Sequence, residues 1–288
     1  LLVTCLLCIH CPFFRQLTEL VLMKILVAPD KFKGSLTSAE VIEAITDGIK
    51  STIPYSEIIQ QPIADGGEGT LDILSTEKEL VEESIVLNDP LFRPIKATFL
   101  RDDQHAFIEM VSASGLLLLH AEEKNPLVTT THGTGQLIDH AIRQGCREIN
   151  LFIGGSATND CGLGMLKALG FEFFDHKGRL LNGVGEELSR VASYTTSLNF
   201  SLDEITFRVF TDVENPLLGP NGAAHVYASQ KGADEEAIQR LESGAKKLSD
   251  LLNNGFEDTK GAGAAGGLGY GALSFLNAEL SSGIDYIL

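Results

Sequence analysis

From Met23 onward one pattern recurs: a short apolar run, a polar cluster rich in Gly, Asp and Ser, and then a segment with one apolar face. Ile25, Leu26 and Val27 run into Pro29 to Ser35, after which Thr37 and Glu40 make a capping box ahead of Val41, Ile42, Ile45 and Ile49. Ile58 to Ile63 leads into Asp65 to Thr70 and then Leu71, Ile73 and Leu74. Ile149 to Ile153 leads into Gly154 to Asp160 and a helix from Gly162 to Leu169 that Gly170 ends. Phe207 to Thr211 leads into Asp212 to Pro216. Helices that return the chain for further parallel strands predict an α/β fold.

The rhythm breaks once. Alternation at Ile95, Ala97 and Phe99, a polar turn at Asp102 to Gln104, and the run Ala106 to Met110 predict an antiparallel hairpin. A strand at Phe171 to Phe174, a turn at His176 to Gly178, a helix from about Asp234 to Leu252 and a Gly/Ala-rich run from Gly261 to Ala272 follow. The interrupted order predicts two α/β units, one inserted into the other, and 288 residues is near the size at which one core stops growing.

Ligands of open α/β sheets bind beyond the carboxyl ends of strands, so the four clusters are expected to converge on one site. In the first, Lys31, Lys33 and Ser35 stand between a strand and a helix start, where free N–H groups and the helix dipole favour an anion. In the second, Asp65 and Glu68 lie among Gly66, Gly67 and Gly69, a pair suited to Mg²⁺ or to accepting a substrate proton. In the third, Gly154, Gly155, Ser156, Thr158, Asn159 and Asp160 read as a second anion cradle ahead of a helix. Asp212, beside Asn215, is placed for a metal ligand or base. Gly261, Gly263 and Gly266 match Gly-x-Gly-x-x-Gly, yet the residues before them form no apolar strand, so close packing is expected there rather than a dinucleotide fingerprint. His132 is the one histidine placed to matter, and a loop role is expected for it.

With 22 basic and 39 acidic residues the net charge is -17, which repels nucleic acid and anionic membrane and makes neither an expected partner. Leu1 to Leu22 is apolar but interrupted by Arg15, Gln16 and Glu19 and carries no basic leading segment, so Met23 is the expected start, residues 1–22 an extension outside the fold, and the location cytoplasmic. Cys5, Cys8 and Cys11 beside His10 superficially resemble a metal knuckle, but such closely spaced ligands need a second pair across a turn. Cys146 and Cys161 are too few to argue for an oxidising compartment.

The segments Ala28 to Ser35, Pro62 to Thr70, Gly133 to Gly135, Gly154 to Asp160, Asp212 to Leu217, Gln230 to Ala233 and Gly261 to Gly269 resemble, in order, the class I glycerate kinase family. The resemblance implies ATP-dependent phosphorylation of D-glycerate, with 2-phosphoglycerate the favoured product, at a site between a Rossmann-like domain with a mainly parallel sheet and a mixed α/β domain. Residues 23–64 and 125–170 are expected in the first, and 65–124 and 171–288 in the second. The matching positions add Asn215, Lys231, Gly263 and Gly266 to the expected binding residues, with Lys31, Asp65 and Asp160 catalytic and Glu68 and Asp212 on Mg²⁺. Cys161 stands where the family usually has Gly, and Lys260 where it has Pro. Family chains continue past Leu288 through further strands, so a truncated chain is expected, and the rival readings are an inactive fragment that keeps ligand or partner binding and a Mg²⁺-dependent phosphatase.

Overall fold

The computed structural model describes residues 23–32, 35–64, 66–77 and 79–287. Chain contacts divide it into a unit ending at Pro62 and a larger one beginning at Ile63. Residues 1–22, Lys33 and Asp65, for which the sequence sets expectations, lie outside the described residues.

The first unit is one strand–helix–strand crossover. β1 (Lys24–Val27) pairs in parallel with β2 (Glu57–Gln60), in register from Lys24 opposite Glu57 to Val27 opposite Gln60. Between them α1 (Ser38–Thr52) begins as its sequence predicts, with the Thr37 side chain accepting from Glu40 N and Glu40 answering to Thr37 N. Among its described apolar side chains only Val27, Val41 and Ile42 are buried, while Leu26, Ile45 and Ile59 stay exposed.

The second unit is built on a six-stranded sheet of order β10-β9-β6-β5-β4-β3. β3 (Val81–Asn88), β4 (Pro94–Arg101) and β5 (His105–Glu109) are antiparallel neighbours, and the expected hairpin is the β4–β5 pair. β5, β6 (Glu148–Phe152), β9 (Thr206–Phe210) and β10 (Glu279–Ser281) run parallel. β7 (Phe171–Phe174) and β8 (Ser193–Thr196) form a separate antiparallel ribbon. The helices are α2 (Thr70–Glu77), α3 (Val111–Ser114), α4 (His132–Arg143), α5 (Leu163–Leu169), α6 (Ala223–Tyr227), α7 (Glu235–Leu252), α8 (Ala264–Leu276) and α9 (Gly283–Ile287).

Strand alternation divides the core in two. Ala106, Ile108, Ile149, Leu151, Phe207 and Val209 face the large cluster built by α4, α5, α7 and α8. Their neighbours Phe107, Phe152 and Phe210 face the other way, against Ile73 and Leu74 of α2 and Ile287 of α9. Phe152 and Phe210 stack there at 4.9 Å, and Tyr286 lies 4.6 Å from Phe210. β6 sits in the middle of the second unit's sheet. No described helix is long and apolar enough to cross a membrane.

Candidate active site

Three of the four predicted clusters meet at the carboxyl end of the parallel strands of the second unit. Ile153 N donates to Phe210 O at 3.2 Å and Thr211 N to Ser281 O at 2.9 Å, so the loops leaving β6, β9 and β10 start side by side. The 66–70 loop lies on them: Gly154 N donates to Gly66 O, and a Cβ on Gly154 would stand 2.8 Å from Gly67 Cα. Gly66 adopts φ +72, and a Cβ there would be 3.0 Å from Gly283 Cα and 3.7 Å from Phe210 O. Only glycine permits backbones to stack this closely in that conformation.

The outer rim consists of Glu68, Gly69, Gly154, Gly155 and Asp212, with Gly67 and Ser156 buried behind it. Gly155 is exposed with φ +76, and Glu68 and Asp212 are exposed. Gly67 O accepts from the Thr70 amide and hydroxyl, and Glu109 at the end of β5 accepts from Leu71 N, which anchors the start of α2. Asp212 is already engaged: Oδ1 accepts from Ser282 Oγ at 2.7 Å and Gly283 N at 3.0 Å, and Oδ2 from Ile284 N at 3.1 Å. It is the cap of α9, and the geometry differs from that of a dedicated metal ligand. Oδ2 still has a lone-pair direction to offer, and Mg²⁺ ordinarily takes only one or two protein carboxylates beside phosphate oxygens. Glu68 and Asp212, hard oxygen donors on abutting loops, therefore fit that ion. No group of three or more His, Cys, Asp or Glu suited to a metal exists among the described residues.

Beneath the rim lies a dry polar layer. Asp160 is completely buried and accepts from Thr131 N and Thr131 Oγ1 at 2.8 Å, Gly162 N at 3.1 Å and Gly164 N at 3.2 Å. Burial raises its carboxyl from the ordinary range, against the pull of those donors. Met165 N donates to Thr131 Oγ1 and Leu163 N to Asp160 O. The N–H groups at the start of α5 are thus taken up within the protein, and Asp160 has the geometry of a helix cap. Lys231, only 2% exposed, donates from Nζ to Ser156 Oγ at 2.8 Å and Thr158 O at 2.6 Å. It braces the loop from within instead of lying on its surface. Thr158 Oγ1 and both polar atoms of the Asn159 side chain are buried without a partner among the described residues.

The remaining predicted residues divide differently. Asn215 is tied into its own loop, its Nδ2 donating to Asn221 O at 2.8 Å and its Oδ1 accepting from Tyr227 Oη at 2.6 Å. A Cβ on Gly263 would stand 2.2 Å from Pro216 O, and one on Gly266 2.1 Å from Thr158 O, so both glycines serve packing. Gly266 belongs to a left-handed stretch, Ala265 to Gly267, that precedes the regular part of α8. In the first unit, described by itself, Lys31 N donates to Asp30 Oδ1 at 2.7 Å and Ser35 Oγ to Phe32 O at 3.1 Å, within a tight turn between β1 and α1. His132 is the first residue of α4 rather than a loop residue, and burial lowers its pKa.

Residues 25–288 match the profile of the Glycerate kinase family. This chain belongs to the glycerate kinase family. It is 44% identical over 275 residues to a glycerate kinase of Bacillus subtilis, a match covering 92% of this chain and 72% of that one. It is 40% identical over 272 residues to a glycerate 2-kinase of Escherichia coli, covering 92% and 71%. The crystal structure of a putative glycerate kinase 2 from Salmonella typhimurium superposes with a TM-score of 0.79 at 38% identity, covering 92% of this chain and 73% of that one. For a glycerate kinase family chain the Cys161 departure now has a physical meaning: its φ is +50, a conformation suited to Gly, and its Sγ fills the space where a Gly267 Cβ would stand 2.7 Å away. Lys260 is exposed and pairs with Glu214. Glu109 and Thr131 went unmarked in the sequence because each acts through a partner far away in the chain; a carboxylate closing an apolar strand was the one available signal for Glu109.

Proposed function

We propose that this chain is the catalytic part of an ATP-dependent glycerate kinase that phosphorylates D-glycerate to 2-phosphoglycerate. The observation that supports this most is the stacking of two glycine loops, 66–70 and 154–156, at the carboxyl end of parallel strands in a chain of this family. Glycine loops, which let a ligand approach the backbone closely, suit phosphate and carboxylate oxygens.

ATP supplies the γ-phosphoryl group, and Mg²⁺ held by Glu68 with Asp212 would offset the charge on its oxygens. The chain's own task is positioning and proton transfer. Gly66, Gly67, Gly69, Gly154, Gly155 and Ser156 bind through backbone and hydroxyl groups, while Lys31, Lys33 and Ser35 supply further phosphate contacts. Asp65 accepts the proton of the glycerate hydroxyl as that oxygen bonds to phosphorus and ADP leaves. A cytoplasmic location, where ATP is available, suits this reading.

The test is ADP release with Mg²⁺-ATP, with and without D-glycerate, from a sample that melts cooperatively, followed by ³¹P NMR of the product. Glycerate-dependent ADP and a 2-phosphate resonance are expected. No ADP from a folded sample would overturn the assignment, and a 3-phosphate resonance would overturn the regiochemistry.

A further inference from the structure

A Lys side chain that is almost wholly buried and yet ends on the underside of a ligand loop is the least explained group in the second unit. Lys231 ends the turn Ser229–Lys231, which Gly232 closes at φ +96. A Cβ on Gly232 would stand 2.0 Å from Lys124 O, so the turn is pressed against its neighbour and cannot drift. From there Nζ spans 75 residues of sequence to reach Ser156 Oγ and donates also to Thr158 O. The Ser156 backbone is held in turn by its bridge to Gly115.

An ammonium has donors and no acceptor. When Lys231 is charged, Ser156 Oγ must accept from it, and the Ser156 hydrogen is left to donate elsewhere. Ser156 itself is buried, and its chain neighbour Gly155 is exposed. We infer that Lys231 is a positioning residue for the phosphoryl transfer proposed above: from inside the loop it orients the Ser156 hydroxyl so that its hydrogen is donated to the carboxylate of the bound substrate. The inference rests on the glycerate kinase reading and adds a residue that never touches substrate.

The protonation of Lys231 then sets the direction of that hydroxyl. Burial pushes its pKa down to about 7, while the charge of Asp160 opposes the drop. The other charged or titratable groups on elements packed around the turn are Lys124 beside Gly232, His225 on α6, and Asp234, Glu235, Glu236, Arg240, Glu242, Lys246, Lys247 and Asp250 at and along α7. Above pH 7 the neutral amine can accept from Ser156, and outward donation is no longer enforced.

The experiment measures kcat and KM for D-glycerate from pH 6 to 8 in the wild type, Ser156→Ala, Lys231→Met and the double variant. Each single variant is expected to raise KM roughly tenfold at pH 6 with kcat changed by less than about threefold, the loss of one well-aligned hydrogen bond. The double variant should be no worse than either single one, since both remove the same interaction. Wild-type KM should rise with pH through about 7, and that of Ser156→Ala should stay flat. Multiplying losses in the double variant, a fall in kcat at constant KM, or a pH-dependent KM in Ser156→Ala would each overturn the inference while leaving the kinase reading standing. If Lys231→Met does not melt cooperatively, the Ser156→Ala pH profile decides alone. A folded wild type without glycerate-dependent turnover would overturn the kinase reading itself.

Discussion

β6 and β9 are adjacent parallel strands, and each is followed within a few residues by an aspartate, yet the two carboxylates do opposite work. Asp160 is completely buried, and four donors, including both groups of Thr131, converge on it. Asp212 is exposed and caps the five-residue α9 at the rim. The same sequence signature therefore locates a loop without naming a role. What decides the role is which groups point at the carboxylate, and how much water remains beside it.

The largest test of that contrast is Asp160→Asn. It replaces an acceptor with an NH₂ group facing N–H donors and should cost about 4 kcal/mol of stability in urea unfolding. Unchanged stability with collapsed turnover would return Asp160 to the role of base and erase the contrast.

A second test uses pH. Unfolded Lys231 keeps its proton up to its ordinary 10.5 and folded Lys231 only to about 7, so the unfolded state binds more protons between those values and stability must rise with pH across them. The rise should be about 5 kcal/mol and should vanish in Lys231→Met; an equal rise in that variant would show that the buried layer is not its source.

Two glycines with positive φ sharpen the comparison further. Gly266→Ala meets Thr158 O in the buried layer and should cost at least about 2 kcal/mol, whereas Gly219→Ala has nothing within 4 Å and should cost only about 1 kcal/mol, both read by chemical denaturation. Equal costs would mean that backbone strain alone matters. Smallest of all, Asp212→Ala should lose about 1 kcal/mol, the worth of a helix cap, with a raised Mg²⁺ requirement for turnover. A loss as large as that of Asp160→Asn would abolish the distinction between rim and interior.

The parts of this fold legible in sequence are those whose signals are local. The Thr37–Glu40 box, the end of α5 at Gly170 and the hairpin joining β4 to β5 each rest on a few neighbouring residues, and all three stand in the structure. β3 was missed because it is an edge strand whose exposed Glu82 and half-buried Glu83, the latter bonded to Arg101 and His140, give its sequence the charge of a loop. The placement of β6 in the second unit's sheet was not legible because periodicity reports a strand but not its partners. For the site, the glycine loops were legible because close backbone approach demands that residue type. The inner layer was not: Lys231 and Ser156 are far apart in sequence, and nothing local distinguishes a lysine that will be buried from one on a surface.

The sheet of the second unit also fixes an order of assembly. The β3–β4–β5 meander closes through short turns, whereas β6, β9 and β10 come together only after long excursions through α5, α7 and α8. Loop-closure entropy must be met before those parallel contacts reward it, so the meander should be the early folding nucleus and the parallel half the slow step. The ligand-facing loops hang from that slow half, and refolding of binding competence should therefore lag behind the recovery of β structure.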